Sequence, residues 1–209
     1  MVRKYLYGLG AFALAFGILS VSLLRSSSQI MAFNSPDPSP TPLAIQQTRV
    51  DYVLPFPGKV LPGNVLWPIK AMRDKVWYFL AVGHLNRAET ALLFSDKRLV
   101  AGDEVFMSGN MDLSVSVIDK AEKYLEMAAN QEREARSDGI DTSEFLIDLA
   151  TSSLKHREII EKHLASNAPA EVKMHLAKTM DYSKGIYRDA SEALEAQGKE
   201  SPKSPFDGG

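Results

Sequence analysis

The chain contains no cysteine in its 209 residues. This absence excludes disulfides, thiolate chemistry, iron–sulfur clusters and a bacterial lipoprotein anchor. The chain also lacks an excess of positive charge, with 24 Lys and Arg against 26 Asp and Glu. Because nucleic-acid-binding proteins need a positive surface, this balance argues against that class of protein. The sequence has no motif for phosphate loops, serine nucleophiles or zinc peptidases. We therefore expect no enzyme, no catalytic or metal-binding residue and no cofactor.

One long hydrophobic run is present near the N-terminus. Residues 5–24, YLYGLGAFALAFGILSVSLL, carry no charge and would form about 30 Å of helix, the thickness of a bilayer core. Arg3 and Lys4 precede the run, so the positive-inside rule places the N-terminus in the cytoplasm. Residues 1–25 are thus predicted to be a single-pass signal-anchor in the cytoplasmic membrane, with the C-terminal domain extracellular or periplasmic. A signal peptide cleaved near Ser26 or Ser28 remains the alternative.

Prolines shape the next two segments. Residues 26–50 contain four prolines at alternate positions, from Pro36 to Pro42, and predict an extended linker because proline fixes φ and removes an amide donor. Residues 51–66 also contain prolines but are too apolar for a free linker. We expect this segment to lie along the domain surface as an ordered strap, until Pro68 begins a helix.

Residues 67–196 show helical periodicity interrupted by turn residues. Apolar and small side chains of the longest stripe recur at three- and four-residue intervals: Leu85, Ala88, Leu92, Ser95, Leu99, Gly102 and Phe106. The first predicted helix has its own stripe, which consists of Ile69, Met72, Val76, Phe79 and Leu80. Short connections between long helices predict an all-α, up-and-down antiparallel bundle of four to five helices. The polar tail, residues 197–209, is predicted to be disordered.

Two histidines and a group of aromatics are the candidate functional residues. His156 and His163 lie on one face of one helix, about 10 Å apart along its axis, too far to share a metal unaided. We expect one to be half-buried and the other exposed. Aromatic residues cluster around residues 67–79 and are expected in the core, but an exposed fraction would form a partner surface, for which Trp77 and Tyr78 are the candidates.

The segment around the strap resembles the signature L-P-Y-P-G-x-L-P-x-x-P-L-Y-x-L-K-x-x-R-D of an uncharacterised bacterial family of membrane-anchored, extracytoplasmic helical domains. The resemblance covers roughly residues 52–130 and departs at Val65, where the pattern has proline, and at Trp67, where it has tyrosine. It implies the same topology and no activity. The matching residues are Leu54, Pro55, Pro57, Gly58, Leu61, Pro62, Trp67, Pro68, Lys70, Arg73 and Asp74. We expect their role to be structural, with Arg73 and Asp74 holding the strap against the bundle.

These observations together predict a membrane-anchored extracytoplasmic helical module with a structural or protein-interaction role. Its partners would be the lipid bilayer, through the N-terminal helix, and another envelope or membrane protein. Two alternatives remain open. The chain could be the accessory ectodomain of a membrane sensory or regulatory complex, or a bundle that binds a metal or haem through His156, His163 or methionines.

Overall fold

The computed structural model describes residues 50–206. This part contains five helices and no strands, so the prediction of an all-α helical bundle is confirmed. The helices are α1 Trp67–Leu80, α2 His84–Met107, α3 Met111–Ser137, α4 Ser143–Leu164 and α5 Ala170–Ala196. No helix within residues 50–206 combines the length and the hydrophobicity needed to cross a membrane. The predicted anchor and most of the predicted linker lie outside the described residues.

The helices end where the local sequence requires. Pro68 lies in the first turn of α1, where its missing amide leaves no hydrogen bond unmade. Gly109 and Gly139 follow α2 and α3 with φ of +90° and +81°, a conformation that costs glycine little. In both turns the next amide reaches back to the last helical turn, as in Asn110 N to Val105 O at 3.2 Å. Local turn chemistry thus sets the lengths of α2 and α3.

Helices α2 and α3 form a closely packed antiparallel pair. The Ser95 hydroxyl donates to the Ala121 carbonyl at 2.8 Å, and the Ser114 hydroxyl donates to the Gly102 carbonyl at 2.7 Å. Ser95 on α2 thus pairs with Ala121 on α3, whereas the later residue Gly102 pairs with the earlier residue Ser114. The two helices therefore run in opposite directions. Small side chains on both helices permit this approach, and an added Cβ at Gly102 would lie 2.6 Å from Ile118 Cγ1.

The core lies among helices α2 to α5. Helices α3 and α4 each contact the other three, α2 and α5 do not approach each other closely, and α1 approaches only α2 among the described helices. Six of the seven residues of the predicted α2 stripe are buried, and Leu85 packs against their cluster while remaining partly exposed. One apolar cluster includes Leu125, Leu146 and Leu194, and a second includes Ile118 and Ile160. The stripe pattern therefore identified the buried faces of the long helices.

Two terminal segments pack on the bundle. At one end, the Val50 amide donates to Glu158 of α4 at 2.6 Å. At the other end, the Tyr187 hydroxyl donates to the Pro202 carbonyl at 2.7 Å, and the ring of Phe206 lies 4.3 Å from the Arg157 guanidinium carbon. Residues 197–206 therefore differ from the predicted disordered tail, because an aromatic and a proline near the end of the chain find partners on α4 and α5.

Candidate functional site

A buried polar cluster occupies the middle of the bundle. It is formed by Asp96 of α2, Glu122 of α3 and His156 of α4, none of which is more than 2% exposed. His156 Nδ1 lies 2.6 Å from Glu122 Oε1, and His156 Nε2 lies 3.1 Å from Asp96 Oδ1. The imidazole therefore stands between two carboxylates, one on each side, and connects three helices.

Two hydroxyls complete the hydrogen bonding of Asp96. The Tyr52 hydroxyl donates to Asp96 Oδ2 at 2.7 Å, and the Ser152 hydroxyl donates to Asp96 Oδ1 at 2.7 Å. Tyr52 belongs to residues 51–66, which we call the strap, so the cluster also attaches the strap to the bundle. Glu122 Oε2 is buried without a hydrogen-bond partner among the described residues, and this carboxylate depends on His156 for its compensation.

The electrostatics of the cluster favour a charged imidazole. Burial by itself would lower the pKa of His156, but the negative charge of Glu122 and the hydrogen bonds with Asp96 and Glu122 outweigh it and raise the pKa to about 9. Burial and the neighbouring charge of Asp96 raise the pKa of Tyr52 well above its usual range, so Tyr52 remains a donor. At neutral pH His156 is thus an imidazolium, with one ring N–H group directed at Glu122 and the other at Asp96.

This arrangement holds the helices together and leaves little room for a ligand. Both ring nitrogens of His156 are engaged by carboxylates, so neither has a free lone pair for a metal or haem iron. Within residues 50–206, no group of three or more His, Asp or Glu side chains is placed to hold a metal ion. The distances describe an internal ionic lock that joins α2, α3 and α4.

The second histidine is also buried, and the prediction that one of the two is exposed is wrong. His163 is 1% exposed and its ring stacks on Phe106 with centroids 3.9 Å apart. Its Nε2 lies 3.0 Å from Asp103 Oδ1, a close contact without good hydrogen-bond direction. Burial would raise the pKa of Asp103, but His163 and Lys162 lower it overall. Sequence spacing placed both histidines on one face, and packing against α2 buried that face.

Lys70 of the signature fastens the strap to α1. Its Nζ donates to the carbonyls of Pro57 at 2.5 Å and Val60 at 2.8 Å, and it lies 4.8 Å from the centroid of the Trp67 ring. Burial lowers the pKa of Lys70. The ammonium thus binds backbone carbonyls that the prolines of the strap leave without sheet partners.

Asp74 of the signature connects α1 to α2. Its carboxylate is buried, accepts from Arg73 at 2.8 Å and lies 3.8 Å from the Arg98 guanidinium, which in turn stacks 4.3 Å from the ring of Tyr124. Arg73 therefore contacts Asp74, and Asp74 contacts α2. The side-chain hydrogen bonds between α1 and the strap come from Lys70, and not from Arg73 and Asp74 as expected. The other signature residues divide by exposure: Pro57 and Pro62 are buried, Leu54, Pro55, Gly58, Leu61 and Trp67 are half-buried, and Pro68 is exposed.

The apolar stripe of α1 points away from the bundle, contrary to the expectation that such a stripe is buried. Ile69, Met72 and Val76 are 62%, 65% and 50% exposed, and Phe79 and Leu80 are 85% and 68% exposed. We call these five side chains the apolar face of α1. The opposite side of the helix faces the bundle, where Asp74 lies 3.8 Å from Arg98 and Tyr78 packs against the core.

The two residues predicted as a partner surface, Trp77 and Tyr78, lie on different sides of α1. Trp77 is 45% exposed beside the apolar face, whereas Tyr78 is half-buried and packs against the core cluster that includes Leu125. Of the aromatics around residues 67–79, Phe79 is the most exposed and was expected in the core. The surface available to a partner is therefore larger than predicted and excludes most of Tyr78.

Sequence reasoning missed Asp96, Glu122 and Tyr52. A signal was present, because His156 continues the helical spacing of Leu149 and Ser153 on the apolar side of α4, and a buried histidine needs polar partners. Asp96 and Glu122 each directly follow a small stripe residue, Ser95 and Ala121, at the edge of a buried face. The spacing alone does not say which of the many charged residues at such edges meet His156.

Comparison of this chain with protein-family models, with curated proteins and with solved structures gives no match. The resemblance to a family of membrane-anchored helical domains stays a prediction.

Proposed function

We propose that this chain is a membrane-anchored extracytoplasmic helical module with a structural or protein-interaction role and no chemistry of its own. The observation that carries the proposal is the apolar face of α1, five large side chains each at least half exposed. Contiguous apolar surface of this kind is typical of contact sites in proteins that otherwise expose polar side chains. The face belongs to the first helix after the predicted anchor and linker.

The way the strap and α1 are fixed supports a mechanical role. Lys70 binds the carbonyls of Pro57 and Val60, Asp74 pairs with Arg98, and Tyr52 donates to Asp96. These contacts attach the segment that follows the linker to the centre of the bundle. A force applied to the predicted anchor would be transmitted to α2, α3 and α4 through this connection. In an up-and-down bundle, that connection would orient every helix relative to the membrane.

The buried cluster argues for structure over chemistry. Its ionisable groups are paired with one another and closed off from solvent, whereas a catalytic acid or base must reach a substrate. In the alternative of a bundle that binds a metal or haem through His156, His163 or methionines, His156 would have to leave both carboxylates to serve as a ligand. The alternative of an accessory ectodomain is compatible with the same apolar face and differs in the identity of its partner.

The test is an in-cell crosslink of the intact protein, followed by mass spectrometry of the attached molecules and of the protein's own N-terminus. We expect residues 1–25 to be retained and a reproducible membrane or envelope component to be attached. The matched control carries a cleavable signal peptide in place of residues 1–25, which exports the same domain without an anchor. A mature wild-type chain that begins near Gln29 and has no reproducible partner would contradict the proposal.

A further inference from the structure

The apolar face of α1 has the geometry of a helix that lies in a membrane interface. At about 100° per residue, Ile69, Met72, Val76, Phe79 and Leu80 fall within an arc of about 100° on the helix surface. The arc is turned to solvent, with Phe79 85% exposed at one of its edges. A single uncovered arc of this width lets the apolar side of a helix enter the boundary between headgroups and acyl chains while the rest of the helix stays in the polar layer.

Basic residues border this arc on both sides. Around the helix, Lys75 lies just beyond the edge of the arc at Phe79, and Arg73 lies just beyond the edge at Leu80. Both residues are exposed. The one acidic residue of α1, Asp74, is buried on the other side of the helix, where it accepts from Arg73 at 2.8 Å and lies 3.8 Å from Arg98. The Arg73 side chain remains 45% exposed while it is paired in this way. Long basic side chains beside an apolar arc can extend to lipid phosphates while their methylenes remain in the apolar layer.

The charge distribution along the chain orients the same side towards an anionic surface. Residues 51–87, which include the whole strap and α1, contain five basic residues and two acidic residues. Residues 88–209 contain 15 basic and 23 acidic residues. An anionic membrane would attract the part that contains the strap and α1 and repel the rest of the bundle.

A second copy of the chain fits this face less well than a bilayer does. Pairing two identical α1 faces about a twofold axis would bring the Arg73 and Lys75 borders of one copy near those of the other. The exposed surface of α1 offers no acidic side chain to compensate them. Like charges at the rim of an interface oppose association, whereas lipid phosphates neutralise them.

We propose that the apolar face of α1 inserts into the interface of an anionic lipid bilayer, as a membrane contact separate from the predicted anchor. The inference rests on the membrane location in the proposed function. Residues 25–49 span at most about 85 Å when extended, so the predicted anchor allows α1 to reach the membrane and keeps it near. Tethering makes this contact intramolecular, so that even weak interfacial binding is populated.

The two tryptophans of the chain, Trp67 and Trp77, are both on α1, so tryptophan fluorescence, excited at wavelengths that tyrosine does not absorb, reports on this helix alone. The full chain with Trp67→Phe is reconstituted in vesicles of phosphatidylcholine and phosphatidylglycerol, with phosphatidylcholine brominated near the top of its acyl chain as quencher. We expect Trp77 to be quenched and its emission shifted to shorter wavelength. Vesicles without phosphatidylglycerol should reduce the quenching.

The variant Met72→Glu with Phe79→Glu places charges on the exposed face and should abolish the quenching. Met174→Glu, at a methionine of α5 that is 66% exposed, is the matched control and should leave it unchanged. Flotation of each vesicle sample in high salt separately tests the predicted anchor, because the double variant should still float. If the predicted anchor is wrong but the membrane contact of α1 is right, the wild type floats only at low salt and Trp77 is still quenched.

Four results would overturn the inference. Trp77 could be unquenched in the wild type, or quenched equally in the double variant. A disulfide-linked dimer formed by Met72→Cys, with Trp77 unquenched, would assign the face to a second copy of the chain. Crosslinking of position 72 to an envelope protein, again with Trp77 unquenched, would assign it to a protein partner.

Discussion

At the scale of the residue, His156 is a histidine with no contact with solvent. Its ring lies between Glu122 at 2.6 Å and Asp96 at 3.1 Å and is fully buried. A buried ion pair is weak evidence for net stabilisation, since desolvation offsets much of the attraction. Removing only one partner is different, because it leaves an uncompensated charge in the core.

We therefore expect His156→Ala to destabilise the protein by about 3–5 kcal/mol, since Asp96 and Glu122 would remain buried without a cation between them. Urea unfolding of the purified chain in detergent, followed by circular dichroism, measures this change. His175→Ala is the matched control, because His175 is exposed on α5 and its loss should change the free energy of unfolding by less than about 0.5 kcal/mol. Equal effects of the two substitutions would contradict the ionic lock.

The raised pKa of His156 predicts how stability depends on pH. A pKa of about 9 in the folded protein, above the ordinary value of about 6.5, means that the folded state binds the proton more tightly. The resulting stabilisation, on the order of 3 kcal/mol, is fully present below pH about 6.5 and is lost as the pH rises to about 9. Urea midpoints measured across this range should fall.

Glu122→Gln tests the cause of this dependence. The substitution removes the negative charge that raises the pKa of His156 most, so we expect the imidazole to titrate at lower pH in the variant. NMR titration of the His156 ring protons measures the pKa in both proteins. An unchanged pKa in Glu122→Gln would show that Glu122 is not the principal cause.

At the scale of the element, the close approach of α2 and α3 depends on Gly102. An added Cβ there would lie 2.6 Å from Ile118 Cγ1 and 3.4 Å from the Ile118 amide nitrogen, so the helices would have to separate or Ile118 would have to move. Two hydrogen bonds from serines cross the same interface, one of them accepted by the Gly102 carbonyl itself. A small residue at this position is therefore required by packing and not by backbone conformation.

We expect Gly102→Ala to destabilise the protein by about 1–3 kcal/mol through overpacking. Gly185→Ala is the matched control, because Gly185 also lies inside a helix but has no other atom within 4 Å of the added Cβ. That substitution should stabilise the protein by about 0.5–1 kcal/mol, since alanine loses less backbone entropy in a helix than glycine does. Thermal unfolding of both variants provides the comparison, and a stabilised Gly102→Ala would refute the close approach.

At the scale of the whole molecule, the absence of cysteine allows topology to be tested with single substitutions. If the C-terminal domain lies outside the cytoplasm, Met174→Cys should react with a membrane-impermeant maleimide in intact spheroplasts, because residue 174 is exposed. Val2→Cys, in the predicted cytoplasmic tip, should react only after permeabilisation. The reverse pattern would invert the predicted orientation of the anchor.

Several features of the whole molecule followed from local signals in the sequence. Helical periodicity, turn residues and the position of Pro68 predicted an all-α bundle, and the stripe of α2 identified a face that is buried. Such signals are readable because a helix needs one apolar side and because glycine and proline act on their own backbone. Charge counts and the uncharged run at residues 5–24 are also properties of the chain alone.

Other features arose only when distant residues met in the tertiary structure. His156 and His163 became buried, the tail packed on α4 and α5, and α1 turned its apolar stripe outwards. Each outcome depends on a competition between non-local contacts, such as Asp74 with Arg98 against burial of Ile69 or Phe79. Periodicity shows that a helix has an apolar side, whereas packing and paired charges decide what that side faces.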